Sequence, residues 1–423
     1  MKILFLAHRT PYPPDKGDKI RSFHLLSHLA RKHDVALVYF VDNPRDRAYA
    51  ANLNSLCKGK AIPVRLHPWW GKCRALWSLL MGRSFTEGFY DSRAFRVAVN
   101  SLLRTGPFDA VFAFSSGVAP YAARISAHSK IVDFVDVDSD KWGQMATTSR
   151  FPLSWLYKLE RKRLSRLETA INAWAGCSLF VSQTEAELFR AQGGRGTIGV
   201  LPNGTQLELR RLPRDPFATL SNGLSESPAR SVKIIFVGTM DYYPNVDAVQ
   251  YFAQEIFPQI REKFPLAVFQ IVGRSPAPAV RRLGTIDGVQ VVGEVSDVRA
   301  YLVGADVSVA PMRIARGVPN KVLEAMGMGI PVVASSAAIR GIDVVGGEEV
   351  LLGDNPEEFA AQVVTLLNDH DVRRALTRRA WKKMQRAYNW EAIGAKLETL
   401  LHPCVPDNRP SSDVSDKVSN GQK

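Results

Sequence analysis

Residues 307–335 read VSVAPMRIARGVPNKVLEAMGMGIPVVAS. A short apolar run, Val307–Pro311, passes into a loop that holds Gly317 and Pro319. The pattern turns amphipathic from Asn320 to Gly327 and ends in a second apolar run, Pro331–Ser335. Strand, loop, short helix and strand make up the repeating unit of a parallel sheet, because parallel strands require a crossover between them. The runs are continuously apolar rather than alternating, so the strands are expected to be buried on both faces. This unit therefore indicates an open α/β domain, with ligands bound beyond the carboxyl ends of the strands.

The same alternation extends in both directions. Before the quoted stretch lie Lys233–Gly238, Val268–Gly273 and Val289–Gly293, and after it Val350–Leu352. An earlier series comprises Lys2–Ala7, Val35–Phe40, Ala110–Phe114, Ile131–Phe134 and Ser178–Val181, with helical patterns at Ile20–Lys32 and Ser154–Trp174. Between the two series, residues 206–230 collect Pro213, Pro216, Gly223 and Pro228 with no sustained apolar period, and read as a linker. Two successive Rossmann-like domains are expected, 1–205 and 231–385, with a disordered tail at 407–423.

Composition narrows the class. The 423 residues are 46% hydrophobic and 23% charged, which excludes a disordered chain, a collagen and a disulfide scaffold. A formal charge of +14 favours an anionic partner. Cys57, Cys73, Cys177 and Cys404 form no Cys-x-x-Cys pair and are expected to be reduced thiols. The apolar run after Met1 ends at His8-Arg9, too early for a signal peptide, and no stretch is long enough to span a bilayer. The expected location is cytoplasmic, with any membrane contact peripheral.

Three loops at strand ends carry the chemistry. The first, His8–Lys19, is stiffened by prolines and contains Gly17, which lets backbone approach a ligand where a helix begins. The plain alternative is a β-to-α loop with a capping aspartate, and there is no G-x-G-x-x-G fingerprint. The second follows Phe236-Val237 with Gly238 and Thr239, mirroring the first at the start of the second domain. The third is the quoted segment. Amides of Asn320, Lys321, Val322 and Leu323 at a helix N-terminus suit a diphosphate, Lys321 adds a cation, and Glu324 would accept from a ribose diol. The bland alternative makes Lys321 and Glu324 a solvated helical pair.

With these residues in view, the sequence resembles glycosyltransferase family 4, with its two-domain GT-B fold. The resemblance rests on Val181-Ser182-Gln183-Thr184-Glu185, Leu201-Pro202-Asn203-Gly204, Tyr243-Pro244-Asn245-Val246-Asp247, Lys321–Met326 and Pro331–Ala334. The opening strand and proline-rich loop are most similar to sugar transferases associated with PEP-CTERM exopolysaccharide systems. The resemblance implies two Rossmann-like domains facing across a cleft, with a C-terminal helix at about 386–402, after Tyr388-Asn389-Trp390-Glu391, returning to the first domain. It implies a UDP- or GDP-linked sugar on the second domain, transferred with retention to an acceptor on the first. The family's pattern has two glutamates eight positions apart. Glu324 matches the second, implying ribose binding, whereas Arg316 stands at the first and Pro319 replaces a glycine. Lys321, Arg274 and Arg316 are the candidate cations for the diphosphate, with Gly317 in the same loop.

After the strand at Ile131–Phe134, where many relatives carry a histidine facing the reaction centre, stand Asp136 and Asp138. With Arg316 they are the candidate catalytic residues. Their Asp-x-Asp spacing mimics a metal motif, but a single-domain metal-dependent enzyme would leave 231–402 unexplained, so no metal and no cofactor are expected. The stretch 57–104 interleaves Trp69, Trp70 and Trp77 with Lys72, Arg74 and Arg83, a pattern suited to an anionic bilayer surface. No nucleic-acid-binding signature accompanies the positive charge. The reading is a retaining glycosyltransferase of exopolysaccharide biosynthesis, peripheral on the inner face of the plasma membrane, acting on a glycan or polyprenyl-linked acceptor. A GT-B nucleotide-sugar epimerase and a non-catalytic nucleotide-sugar or polysaccharide-binding module are the alternatives.

Overall fold

The computed structural model describes residues 1–14, 17–205, 231–314, 318 and 320–401. The expected linker 206–230, the expected tail 407–423, and Arg316, Gly317 and Cys404 lie outside the described residues.

The first domain is built on strands β1 (Lys2–Ala7), β2 (Asp34–Val41), β3 (Ala61–Arg65), β4 (Ala110–Phe114), β5 (Ser129–Val135), β6 (Cys177–Phe180) and β7 (Ile198–Val200). They form one seven-stranded parallel sheet in the order β3-β2-β1-β4-β5-β6-β7. The period of two that a strand imposes is visible in its packing. Leu4, Leu6, Ala36, Val38 and Phe40 enter the core layer under the helices Arg93–Leu103 and Gln183–Ala191. Ile3, Phe5, Ala7, Val35, Leu37 and Tyr39 enter the opposite layer, under the helix Gly17–Lys32. Covered on both faces, the strands can be apolar throughout.

The second domain has strands β8 (Lys233–Val237), β9 (Val268–Val272), β10 (Val289–Gly293), β11 (Val307–Ala310), β12 (Val332–Ala334) and β13 (Leu351–Leu352). Their order is β10-β9-β8-β11-β12-β13, again parallel. In both sheets the order reverses beside the first strand, between β1 and β4 and between β8 and β11. Loops leaving neighbouring strands diverge there and open a crevice, which makes these the expected ligand positions.

The chain passes between the domains again near Thr205 and Asn389, which form a parallel bridge. The last helix among the described residues, Trp390–Leu401, lies against the first domain and puts Ile393, Leu397 and Leu401 into its core layer with Leu25 and Leu29. The indole of Trp390 stacks on His24 at 4.5 Å, and Gly394 sits where any Cβ would overlap the His28 ring. Among the described residues, no helix is long and apolar enough to cross a membrane.

Candidate functional site

The two sheet reversals face each other, and the cleft between them divides into adjoining cavities that share Gly17, Val318 and Asn320.

The second-domain cavity measures about 670 Å³ and is lined by Gly238, Thr239, Arg274, Lys321 and Glu324, among others. The loops after β8 and β9 are pressed together here. A Cβ on Gly273, whose φ is +152°, would stand 1.6 Å from the Gly238 carbonyl oxygen, so no other residue fits. Asn245, near the start of the helix Tyr243–Tyr251, ties this loop to the quoted helix. Its Nδ2 donates to the Thr239 carbonyl at 2.8 Å, and its Oδ1 accepts from Lys321 Nζ at 2.6 Å. The Lys321 ammonium also lies 4.0 Å from the centre of the Phe236 ring. Burial pulls Lys321 down to about 7, opposed by Glu324. Burial pushes Glu324 up to about 7, opposed by Lys321. The alternative of a solvated helical pair is thereby overturned: both side chains face the cleft, in the first turns of the helix Asn320–Gly327. Arg274 lines the same wall, with no ion pair among the described residues. Val322 and Leu323 are not brought to the cavity. Their side chains are buried in the second-domain core, which leaves only backbone amides to serve a ligand.

The first-domain cavity, about 310 Å³, is lined by His8, Asp18, Ser115, Asp136, Asp138 and Lys141 together with Asn203. Asp136 and Asp138 do converge, but on a lysine. Lys141 Nζ lies 2.9 Å from Asp136 and 3.0 Å from Asp138. Burial disfavours that ammonium, yet the two carboxylates overcome it and raise its pKa. Val135, at φ +68°, turns the chain towards Asp136, and Ser115 has φ +91°. A positive φ at a residue other than glycine costs about 1–3 kcal/mol, and both strained positions sit on the cleft wall. The loop is pinned by Glu185, which accepts from the Val137 amide at 2.8 Å while Ser182 caps its helix.

His8 is absent from the sequence-derived site. It leaves β1 directly into the cleft, stacks on Phe114 and places Nδ1 3.3 Å from the Phe114 carbonyl oxygen. Burial, with Arg9 beside it, lowers its pKa, so the ring is neutral at pH 7. With Nδ1–H donated to Phe114, Nε2 carries the lone pair. Its position immediately after the first strand was the available signal. Lys141, Asp18 and Asn203 were also missed: Lys141 stands one helical turn after Asp138, whereas only the fold brings Asp18 and Asn203 to this cavity.

At the surface, Trp69, Trp70 and Trp77 project from the helix Pro68–Leu80 with 73%, 64% and 62% of their area exposed. Lys72 is exposed beside them. Arg74 and Arg83, assigned with them to a docking face, are each engaged within the first domain. Arg74 turns inward to donate to the Phe89 carbonyl at 3.2 Å, and Arg83 pairs with Glu87 at 2.5 Å. Phe151 and Trp155, near the start of the helix Leu153–Trp174, are exposed too.

Two parallel-sheet α/β domains facing across a cleft place the protein in the GT-B architecture of glycosyltransferase structures. Within it, residues 231–369 match the family model described as "Glycosyl transferases group 1". Among solved structures, Anabaena HepE in complex with UDP and glucose is 16% identical at a TM-score of 0.65, over 95% of this chain and 99% of that one. Sucrose-phosphate synthase of Thermosynechococcus elongatus is 19% identical at a TM-score of 0.67, over 95% and 98%. The curated relative "Glycosyltransferase 1 domain-containing protein 1" of Xenopus tropicalis is 24% identical over 154 residues, 35% of this chain. That match spans 44% of the relative's length, less than half of it.

Proposed function

We propose that the protein is a retaining glycosyltransferase that moves a sugar from a UDP- or GDP-linked donor to a glycan or lipid-linked acceptor. The observation that carries the reading is the pairing of the two cavities. A basic, amide-lined wall with a buried carboxylate faces a wall of aspartates, lysine and a neutral histidine, and they meet at Gly17 and Asn320. The UDP complexes of HepE support a nucleotide-sugar as donor.

The donor's diphosphate lies against the first-turn amides after Asn320, with Lys321 and Arg274 meeting the charge that grows as the bond to the anomeric carbon breaks. Glu324 accepts from the ribose hydroxyls. The acceptor hydroxyl enters from the first-domain cavity, held by His8 Nε2 and the Asp136–Lys141–Asp138 cluster. Its oxygen forms the new bond to the anomeric carbon, and its proton leaves with the departing diphosphate oxygen. Arg316, at the position of the family's first glutamate, would add a further cation against the diphosphate. No metal is required, because Lys141 already bridges the carboxylates that mimic a metal motif.

Exposed Trp69, Trp70 and Trp77 beside Lys72 support docking on an anionic bilayer, which would place the protein on the cytoplasmic face and present a lipid-linked acceptor of exopolysaccharide synthesis to the cleft. A thermal-shift screen of nucleotide-sugars, followed by a donor-hydrolysis assay, tests the reading. At about 100 times its dissociation constant a true donor stabilises the protein by roughly 2.7 kcal/mol. Binding without hydrolysis or transfer would favour a binding module, and conversion of the donor to an epimeric sugar nucleotide would favour an epimerase.

A further inference from the structure

Neither substrate pocket explains Arg21, which is 1% exposed in the first-domain interior. Every nitrogen of its guanidinium donates, in four hydrogen bonds. Nε and Nη2 donate to the two carboxylate oxygens of Asp133 at 2.8 and 3.1 Å. Nη1 donates to the Pro202 carbonyl at 3.1 Å and to Asn203 Oδ1 at 3.0 Å. Asp133 also accepts from the Val135 amide at 3.1 Å, fixing the residue whose positive φ aims the chain at Asp136. In the other direction, buried Asn203 donates Nδ2 to Asn320 Oδ1 at 3.1 Å. Asn320 is the first residue of the helix that carries Lys321 and Glu324. One planar, rigid fork therefore holds the acceptor-side loop and, through a single amide, the start of the donor-side helix.

We propose that Arg21, Asn203 and Asn320 form an interdomain latch, in which Asn203 is a positioning residue that holds the donor helix in register with the Asp136–Asp138 wall. The kinetic consequence rests on the glycosyltransferase reading. The structural consequence does not.

The test uses the full chain with Asn203→Ala, Asn320→Ala and the double variant. Arg21 is left intact, because its removal would strand the Asp133 carboxylate in the core. Small-angle scattering of the nucleotide-free protein should show a larger radius of gyration for Asn203→Ala than for the parent, as the second wall swings away. With whichever of UDP and GDP the parent binds, Asn203→Ala should keep its affinity within twofold, since the second-domain wall is intact. Turnover should fall about fivefold or more, the net worth of the hydrogen bond across the cleft, with the Arg21 contact to Asn203 lost as well. The double variant should lose no more than the worse single, because the bond across the cleft that Asn320→Ala removes is already gone in Asn203→Ala. Unchanged scattering overturns the latch, as do unchanged turnover and multiplied losses in the double variant. A joint collapse of melting temperature and nucleotide affinity in Asn203→Ala would reduce Asn203 to a folding role and also overturn it. If the parent turns over no donor, the glycosyltransferase reading fails, while the scattering comparison still decides the latch.

Discussion

Raising the pH from 7 to 8 should strip the proton from most of the Lys321 population in the free protein, since burial holds that ammonium near 7. About half the chains carry the charge at pH 7 and about a tenth at pH 8. A bound diphosphate needs it and restores the lysine towards its ordinary range, so donor binding takes up a proton there. Affinity should fall about threefold across that unit, the roughly fivefold loss from Lys321 being partly offset by the fuller ionisation of Glu324. Glu324 produces the opposite limb. Its carboxyl, pushed up to about 7, must be ionised to accept from a ribose diol, so binding releases a proton below pH 7. Affinity should fall about threefold from pH 7 to pH 6, with fuller protonation of Lys321 offsetting part of the loss. Calorimetry at pH 6, 7 and 8 with a nucleotide-sugar reads both limbs, because its diphosphate diester does not titrate in that range. Buffers of differing ionisation enthalpy should count about 0.8 proton taken up at pH 8, a similar number released at pH 6, and almost none at pH 7. Lys321→Met should flatten the alkaline limb and Glu324→Gln the acidic one. An affinity constant within twofold from pH 6 to 8, or an alkaline limb that survives Lys321→Met, refutes the assignment of these side chains to the donor.

Replacing Trp69, Trp70 and Trp77 by serine together with Lys72→Glu should reduce co-sedimentation with anionic liposomes about tenfold or more while sparing nucleotide affinity. Equal sedimentation would make the face merely solvated. Transfer should persist in excess EDTA, and a loss restored by Mn²⁺ would reassign Asp136 and Asp138 to a metal. Gly273→Ala forces a Cβ into the Gly238 carbonyl and should destabilise by ~4 kcal/mol or more, read as a melting point lowered by roughly 8 °C or more.

The parallel strands were legible because burial on both faces leaves a continuous apolar signature. Val307–Ala310 and Lys2–Ala7 needed no tertiary information. β3 and β7 were not legible. β3 is a sheet edge that tolerates Pro63 and Arg65, and β7 is a three-residue strand centred on Gly199, so neither carries the signature. On the donor side, the helix after Asn320 announced itself by local pattern, and Lys321 and Glu324 fell where the spacing put them. Val322 and Leu323, expected to serve through their amides, turn their side chains inward, because a helix that offers amides to a ligand still needs an apolar face for its own core. The acceptor wall was half hidden. Asp136 and Asp138 stood out as acids after a strand, but His8 and Asn203 come from distant segments that only the sheet order unites.

The docking of Trp390–Leu401 on the first domain also sets an order of assembly. The layer containing Leu25 and Leu29 is completed by Ile393, Leu397 and Leu401. At synthesis rates of about 5–20 residues per second, residues 1–205 wait roughly 10–40 s for those side chains to be made. Throughout that interval the nascent first domain has an open apolar seam, while the second domain draws its core from one continuous segment ending at Tyr388. A fragment ending near residue 385 would keep the seam open permanently, and should be recovered as aggregate rather than as a working half.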